Sequence, residues 1–148
     1  MRYNTTKRDP IKNSFIMPNE IFRLGLSEGA IAVYAYLLYC EDHGTYQCYP
    51  SYTTIAGAVG KSKNSIRKYV AELVSKRLIE TEHTTVILKD GQKHNGSLKY
   101  TILPIDKAVR YHEEVQMRQL KIAEARRETE NVSRNTIGSI QKLRRYKQ

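Results

Sequence analysis

The segment from Pro50 to Leu78 reads PSYTTIAGAVGKSKNSIRKYVAELVSKRL. It contains two short helical patterns that meet at Gly60, and each opens with a serine, Ser51 or Ser62, of the kind that caps a helix N-terminus. A glycine at the junction permits the positive φ angle of a tight turn, and the small side chain of Ala56 lets two helix backbones approach closely. The segment therefore predicts two helices that cross at a sharp turn.

Such a pair of helices is a helix-turn-helix, in which the N-terminal half of the second helix enters the major groove of DNA. The pattern over 62–76 predicts this recognition helix. Its inward-facing apolar residues are Ile66, Tyr69 or Val70, Leu73 and Val74.

On the opposite face of this helix Arg67 can bind O6 and N7 of guanine, and Asn64 can pair with adenine. We predict DNA contacts from Ser62, Lys63, Asn64, Arg67 and Lys68, and from Ser51, Tyr52, Thr53 and Lys61 in the preceding helix and turn. The alternative is a basic face that serves solubility only.

The overall charge agrees with a polyanionic partner. The 148 residues include 25 Lys and Arg against 15 Asp and Glu, a formal net charge of +10. Clustered basic residues displace counterions from phosphate and give salt-dependent affinity for nucleic acid. A membrane is not the expected polyanion, since no apolar run approaches the roughly 18 residues of a spanning helix and the N-terminus lacks the apolar core of a signal peptide. We therefore expect double-stranded DNA as the partner and a cytoplasmic location.

The residues that could support metal binding or catalysis do not form a recognisable site. Cys40, His43 and Cys48 lack a fourth metal ligand at a suitable spacing, and two cysteines are too few for a disulfide framework. No glycine-rich phosphate loop, paired carboxylates in an apolar setting or nucleophile with a plausible base is present. We predict a protein without metal or cofactor that is not an enzyme.

The N-terminal part of the chain predicts a flexible arm and a scaffold helix. Residues 1–13 are polar and basic and should form the arm, which either touches phosphate or is simply disordered. The apolar run Ser14–Met17 predicts an edge strand, and 21–24 a helical turn. Ser27 is the expected N-cap of the first helix, and Gly44 its expected left-handed stop.

After Leu78 the apolar period changes from that of a helix to that of a strand. We predict a β-hairpin with strands over 79–89 and 97–103 and a loop over 90–96, which forms a wing beside the recognition helix. The wing residues expected near the tip, where they can reach the DNA backbone or minor groove, are Lys89, Lys93, His94 and Lys99. A solvated tip without DNA contacts is the alternative.

The C-terminal third predicts a long helix over 104–130 and a basic tail over 131–148. Residues 105–130 lack glycine and proline and are rich in good helix formers, so the helix should be about 40 Å long. Its imperfect heptad favours pairing with a second copy, as in a homodimer, over simple extension from the domain.

The predicted tail over 131–148 carries five basic residues and no acidic residue: Arg134, Lys142, Arg144, Arg145 and Lys147. It should be disordered and strengthen DNA binding; the alternative is a short helix that folds on a protein partner.

Four short sequences carry a resemblance to a known family. They are Cys48–Ser51, Ile55-Ala56, Ser62–Leu73 and Lys76–Ile79. In them the chain resembles the winged helix-turn-helix domains of phages, plasmids and integrative elements of Gram-positive bacteria. Arg77 stands where those domains usually carry glycine. The resemblance covers residues 14–103 and implies a DNA-binding domain of transcriptional regulators or replication initiators.

The expected fold is therefore α+β. Residues 14–103 should form a winged helix-turn-helix with a three-helix core and a β-hairpin wing, and a long C-terminal helix should follow. Three functions fit this reading. The first is a sequence-specific regulator of transcription of a mobile genetic element. The second is a replication or transfer accessory protein that binds iterated origin sites, and the third is a protein-interaction module that acts on a host complex.

Overall fold

A computed structural model of the protein describes residues 14–147, so the predicted arm over 1–13 lies outside the described residues. After a single turn of 3-10 helix over Asn19–Arg23 the described chain contains four α-helices and five β-strands. The helices are α1 (Glu28–Cys40), α2 (Tyr52–Val59), α3 (Lys63–Ser75) and α4 (Ile105–Arg145). The strands are β1 (Gln47–Cys48), β2 (Ile79–Glu82), β3 (Thr85–Ile87), β4 (Lys93–Asn95) and β5 (Lys99–Ile102).

The core lies between α1, α2, α3 and the inner face of the sheet. Its largest fully buried side chains include Tyr34, Leu37, Ile55, Ile66, Leu73, Leu78 and Tyr100. Ile66, Val70 and Leu73 point from α3 into this core as predicted, whereas Val74 is 37% exposed. The prediction for Val74 was wrong because three residues already complete the buried stripe of α3, and Val74 lies one position beyond it.

A serine side chain caps the N-terminus of each of the three core helices. The hydroxyl oxygen of Ser27 accepts a hydrogen bond from the backbone N–H of Ala30, and Ser51 and Ser62 do the same for Thr54 and Ser65, at 3.1 and 3.2 Å. Each bond satisfies one of the N–H groups that a helix N-terminus leaves without a partner. The three predicted N-caps are therefore confirmed.

The sharp turn between α2 and α3 depends on Gly60. Its φ of 74° and ψ of 35° are left-handed, and its N–H donates to the carbonyl of Ala56 at 2.9 Å. This conformation closes α2 and redirects the chain into α3, as the sequence predicts.

The sheet has three antiparallel strands in the order β1-β5-β2. Ile79 pairs with Ile102 and Thr81 with Tyr100, so Tyr100 and Ile102 lie on one face of β5 and are buried. The edge strand beside β5 is β1. The run Ser14–Met17 was expected to form an edge strand. Residues 14–18 have no regular secondary structure, and the ring of Phe15 packs edge-on against that of Tyr39 at 6.3 Å. The predicted edge strand is wrong.

The first helix ends at Cys40, four residues before the predicted glycine stop. The side chain of Asp42 accepts hydrogen bonds from the N–H groups of Gly44 and Thr45, at 2.8 and 3.0 Å, and such a local turn competes with helix continuation. Tyr46, with a φ of 58°, takes the left-handed conformation instead of Gly44.

The outer part of the wing is longer than the sequence predicts. β3 and β4 form a separate two-stranded hairpin, so Lys93–Asn95 is a strand and not part of the loop. The chain reverses between Leu88 and Gln92, where the N–H of Leu88 donates to the carbonyl of Gln92 and Gly91 adopts a φ of 82°. Three core helices followed by this hairpin make a winged helix-turn-helix fold of the α+β class, as predicted.

The chain forms two compact units, divided after Val109. The first turn of α4 belongs to the first unit, where Ala108 is buried. The second unit is the remainder of α4 and the residues after it. The helix continues through 131–145, which we predicted to be a disordered tail. Within this stretch the hydroxyls of Thr136 and Ser139 donate to the carbonyls of Val132 and Asn135, each at 2.9 Å, and so are satisfied inside the helix.

Candidate nucleic-acid interface

The residues that the sequence predicts for the recognition surface share one exposed face of α3. Ser62, Lys63, Asn64, Arg67 and Lys68 are all exposed, in contrast to the buried stripe opposite them. Thr53 on α2 and Lys61 in the turn are exposed as well. Ser51 and Ser62 serve as helix caps, and the hydroxyl of Ser62 also donates to that of Ser65 at 3.0 Å. Three basic side chains and an amide are thus displayed on the N-terminal half of α3.

A carboxylate on the opposite side of α3 attaches this helix to α1. Glu72 accepts one hydrogen bond from the backbone N–H of Ser27 at 2.8 Å and a second from the Ser27 hydroxyl at 2.6 Å. The carboxylate thereby meets the positive end of the α1 dipole. The role of Glu72 was not predictable from the sequence, because residues 45 positions apart give no periodic signal.

Close packing of an aromatic ring holds the same two helices together. Gly29, near the start of α1, is buried, and a β-carbon there would overlap the ring of Tyr69 on α3. Only glycine leaves room for the ring at this position. Together with the Ser27–Glu72 contact, this packing sets the position of α3 on the scaffold.

Arg67, the predicted guanine-binding residue, is held by an aromatic ring from α2. Its guanidinium carbon lies 5.8 Å from the centroid of the Tyr52 ring, within the range of a cation–π interaction. Tyr52 is the first residue of α2 and is half-buried. A long, exposed side chain that would otherwise sample many rotamers is therefore restrained on the exposed basic face of α3.

A concave surface joins α3 to the wing. One depression, of about 410 Å³, lies between Arg67 and Val74 on α3 and Thr81 and His83 on the wing side. A second, of about 450 Å³, shares Tyr52, His83 and Leu98 with the first and continues to Asn95, Gly96 and Ser97. His83 and Ser97 were not predictable as part of this surface, since only the folded hairpin brings them beside Tyr52 of α2.

Three of the four wing residues predicted near the tip lie there, and the fourth does not. Lys89 lies in the turn, and Lys93 and His94 are exposed on β4. Lys99, however, lies on β5 at the base of the wing and forms an ion pair with Glu82, its cross-strand partner. The hydrogen bond to this carboxylate raises the pKa of Lys99. The expectation that Lys99 lies near the tip is wrong, because β3 and β4 extend the wing beyond it by three strand residues on each side.

The basic residues of the predicted tail belong to the second unit. Arg134, Lys142, Arg144 and Arg145 are exposed on α4, and Lys147 follows the helix. They form a basic C-terminal end of the helix.

Neither a metal cluster nor a membrane-spanning helix is found in the part of the chain that the structure describes. No three His, Cys, Asp or Glu side chains of residues 14–147 lie close enough together to hold a metal ion. Over the same residues no helix is both long and apolar enough to cross a membrane. Cys48 is buried, and its environment raises the pKa of its thiol to about 12, mainly by desolvation.

Comparison with known proteins identifies the domain that carries this surface. A family model described as "Helix-turn-helix domain" matches residues 24–79. The chain carries a helix-turn-helix domain over these residues. A solved structure described as a possible transcriptional regulator from Methanosarcina mazei Go1 is similar at 13% sequence identity and a TM-score of 0.47, over 75% of this chain and 94% of that chain. No curated protein matches the sequence.

The matched residues define how much of the structure this helix-turn-helix domain includes. They run from the end of the 3-10 turn through α1, α2 and α3 to the first residue of β2. The Tyr52–Arg67 and Ser27–Glu72 pairs lie within the domain, whereas the outer wing and α4 lie beyond it.

Proposed function

We propose that the protein is a sequence-specific double-stranded DNA-binding protein that regulates transcription of a mobile genetic element. The observation that carries this proposal is the exposed basic face of α3, with Arg67 restrained over Tyr52. A fixed guanidinium can donate two hydrogen bonds to O6 and N7 of guanine, the commonest specific contact in the major groove. Asn64, one turn earlier on the same face, would pair with adenine. The protein would bind DNA rather than catalyse a reaction, and would act in the cytoplasm.

The remaining residues of this face would hold the backbone. Lys63 and Lys68 flank Arg67 on α3, and Lys61 precedes it in the turn; ammonium groups of this kind contact phosphate without reading sequence. Lys89, Lys93 and His94 would extend the contact along the wing, and the basic end of α4 would add affinity that does not depend on sequence.

We further propose that the protein acts as a homodimer through α4. Many apolar side chains of the second unit are exposed, among them Met117, Leu120, Ile122, Val132, Ile137, Ile140 and Leu143. Long helices in water obtain most of their stability from packing of an apolar face, and pairing of two copies would supply it. Dimers with paired recognition helices bind inverted repeats.

Selection of bound sequences from a random duplex pool tests the regulatory role. Enrichment of one inverted repeat is expected. Iterated direct repeats would instead support a replication or transfer role, and an unenriched pool would reject sequence-specific binding. On the selected site, Arg67→Ala should reduce binding by about 1–3 kcal/mol and relax the base preference at one position. The matched control, Lys93→Ala, should weaken all sequences alike and lower the salt slope by about one.

Sedimentation equilibrium of the full chain tests the dimer. Replacing Ile122 and Ile137 by lysine should convert a dimer into a monomer. Replacing Gln116 and Gln141 by lysine adds the same charge at exposed polar positions of the same helix and should leave the dimer intact. A wild-type protein that sediments as a monomer, or a dimer that both pairs of substitutions leave intact, would exclude α4 as the interface.

A further inference from the structure

Three consecutive apolar side chains are exposed near the tip of the wing. Val86, Ile87 and Leu88 are 49%, 67% and 43% exposed. An uninterrupted exposed apolar run is unfavourable on a hairpin unless the side chains contact something. Ile87 is the most exposed of the three, so its exposure is the one that most needs a binding partner as an explanation.

The strand register shows which face of the wing carries Ile87. Ile87 pairs with Lys93 and Thr85 pairs with Asn95, so these four residues share one face of the hairpin. Val86 pairs with His94 on the other face. The most exposed apolar side chain therefore lies beside a lysine.

The base of the wing is continuous with the predicted recognition surface. Asn95 and Gly96 line the depression that also contains Tyr52, and Tyr52 holds Arg67 on α3. Ile87 and Lys93 lie further outward along the same hairpin. DNA bound at α3 would therefore lie within reach of the outer wing, at the position of the adjacent minor groove.

We propose that Ile87 is a wedge that enters the minor groove of the bound DNA and bends it. This inference rests on the proposed DNA-binding function. Aliphatic side chains of this size insert between base steps from the minor groove, partly unstack them and bend the duplex by about 20–90°. Lys93 beside the wedge and Lys89 in the turn would contact the phosphates on either side. The acidic residue of the turn, Asp90, accepts a hydrogen bond from the N–H of Gln92 at 3.0 Å.

The composition of the wing tip favours DNA over a protein as its occupant. A single isoleucine that projects from one face of a hairpin is narrow enough to enter a minor groove about 6 Å wide. A stable protein interface needs on the order of 800 Å² from each partner. The neighbouring lysines complement phosphate, whereas the core of a protein interface is depleted in charged residues.

Energy transfer across an end-labelled duplex of about 30 base pairs tests the wedge, because a bend of this size shortens the end-to-end distance. The duplex carries the site selected as described above, or TA steps in mixed sequence if selection enriches none. Wild-type protein should raise the transfer efficiency at saturation. Ile87→Ala should bind within about tenfold of wild-type affinity but leave the duplex straight. The control, Val86→Ala, removes an exposed apolar side chain from the opposite face and should bend DNA like the wild type.

The possible outcomes distinguish a failure of the wedge proposal from a failure of the DNA-binding function on which it rests. Saturated binding of wild-type protein without a bend, or an equal bend with Ile87→Ala, overturns the wedge and leaves DNA binding standing. A wild-type protein that binds no duplex overturns both, and the Arg67→Ala titration records that failure independently. Thermal melts of Ile87→Ala and Val86→Ala should match that of the wild type, which shows that a lost bend reflects the side chain and not an unfolded wing.

Discussion

Glu72 of α3 caps the N-terminus of α1 by accepting two hydrogen bonds from Ser27, at 2.8 Å from its backbone N–H and 2.6 Å from its hydroxyl. Ser27 is itself the N-cap of α1, so one serine caps its own helix and anchors α3. This pair connects the scaffold to the surface that contacts DNA in our proposal.

Removal of this carboxylate should weaken the fold. Glu72→Ala is expected to lower the free energy of unfolding by about 1–2 kcal/mol, because the charge-assisted bonds and the favourable helix-dipole contact are lost together. Urea denaturation measures the change. Glu72→Gln retains one acceptor oxygen and should lie between wild type and Glu72→Ala; equal stability of all three proteins would contradict the role of this contact.

The two glycines of α1 and α2 should respond in opposite directions to alanine. Gly29→Ala places a methyl group against the Tyr69 ring and should cost about 1–3 kcal/mol of stability. Gly57→Ala meets nothing within 4 Å and should stabilise α2 by about 0.5–1 kcal/mol, since alanine loses less backbone entropy in a helix. Thermal melts of the two variants provide the comparison. A neutral Gly29→Ala would show that Tyr69 can move without cost.

Arg77 provides a test of backbone strain. It adopts a φ of 63° just after α3, and the N–H groups of Arg77 and Leu78 donate to the carbonyls of Val74 and Leu73, at 3.1 and 3.0 Å. This is the Schellman end of a helix, where glycine is the usual left-handed residue. The turn that the resemblance assigns to glycine is therefore formed by arginine.

Arg77→Gly should be more stable than Arg77→Ala by about 1 kcal/mol. Both substitutions remove the arginine side chain together with its contacts. The difference between the stabilities of the two variants therefore reports the strain of a β-carbon at positive φ. Chemical denaturation of the two proteins measures it. If the alanine variant is the more stable, the left-handed conformation is not the source of the difference.

Tyr52 should act on DNA binding through Arg67. A double-mutant cycle of Tyr52→Leu and Arg67→Ala on the selected site should show a coupling of about 0.5–1 kcal/mol, the size of an exposed cation–π contact. Fluorescence anisotropy gives the four affinities. Tyr49→Leu, at an exposed tyrosine outside this contact, should be additive with Arg67→Ala. Additivity at Tyr52 as well would mean that the ring does not restrain the guanidinium.

Stability should fall at alkaline pH. Burial, with a smaller effect of the Glu41 carboxylate, raises the pKa of Tyr34 from 10.0 to about 12, and burial raises that of Tyr100 as well. Above about pH 10 these phenols lose protons in the unfolded chain but not in the folded one, so each lowers the unfolding free energy by up to about 1.4 kcal/mol per pH unit. Denaturation from pH 8 to 11 should show constant stability followed by a decline. Tyr34→Phe should reduce the slope of that decline, and an unchanged slope would exclude Tyr34 as a contributor.

Local patterns in the sequence were sufficient for the helical core. Ser27, Ser51 and Ser62 as N-caps and Gly60 at the turn were predictable because a cap or a left-handed turn involves residues within one helical turn of each other. The basic face of α3 followed from the same spacing, since a buried stripe at Ile66, Val70 and Leu73 leaves the opposite side to solvent.

Contacts between distant residues depended on the tertiary structure. The Ser27–Glu72 pair, the fit of Tyr69 on Gly29 and the stacking of Arg67 on Tyr52 join separate helices, and no period in the chain records them. For the same reason β1 rather than Ser14–Met17 occupies the sheet edge, and Lys99 pairs with Glu82 at the base of the wing rather than lying at its tip. By itself, therefore, the sequence determined which helices form and which face is basic. The packing of those helices and the register of the wing decided which side chains are held in place on that face, because each depends on space and partners that only the folded chain supplies.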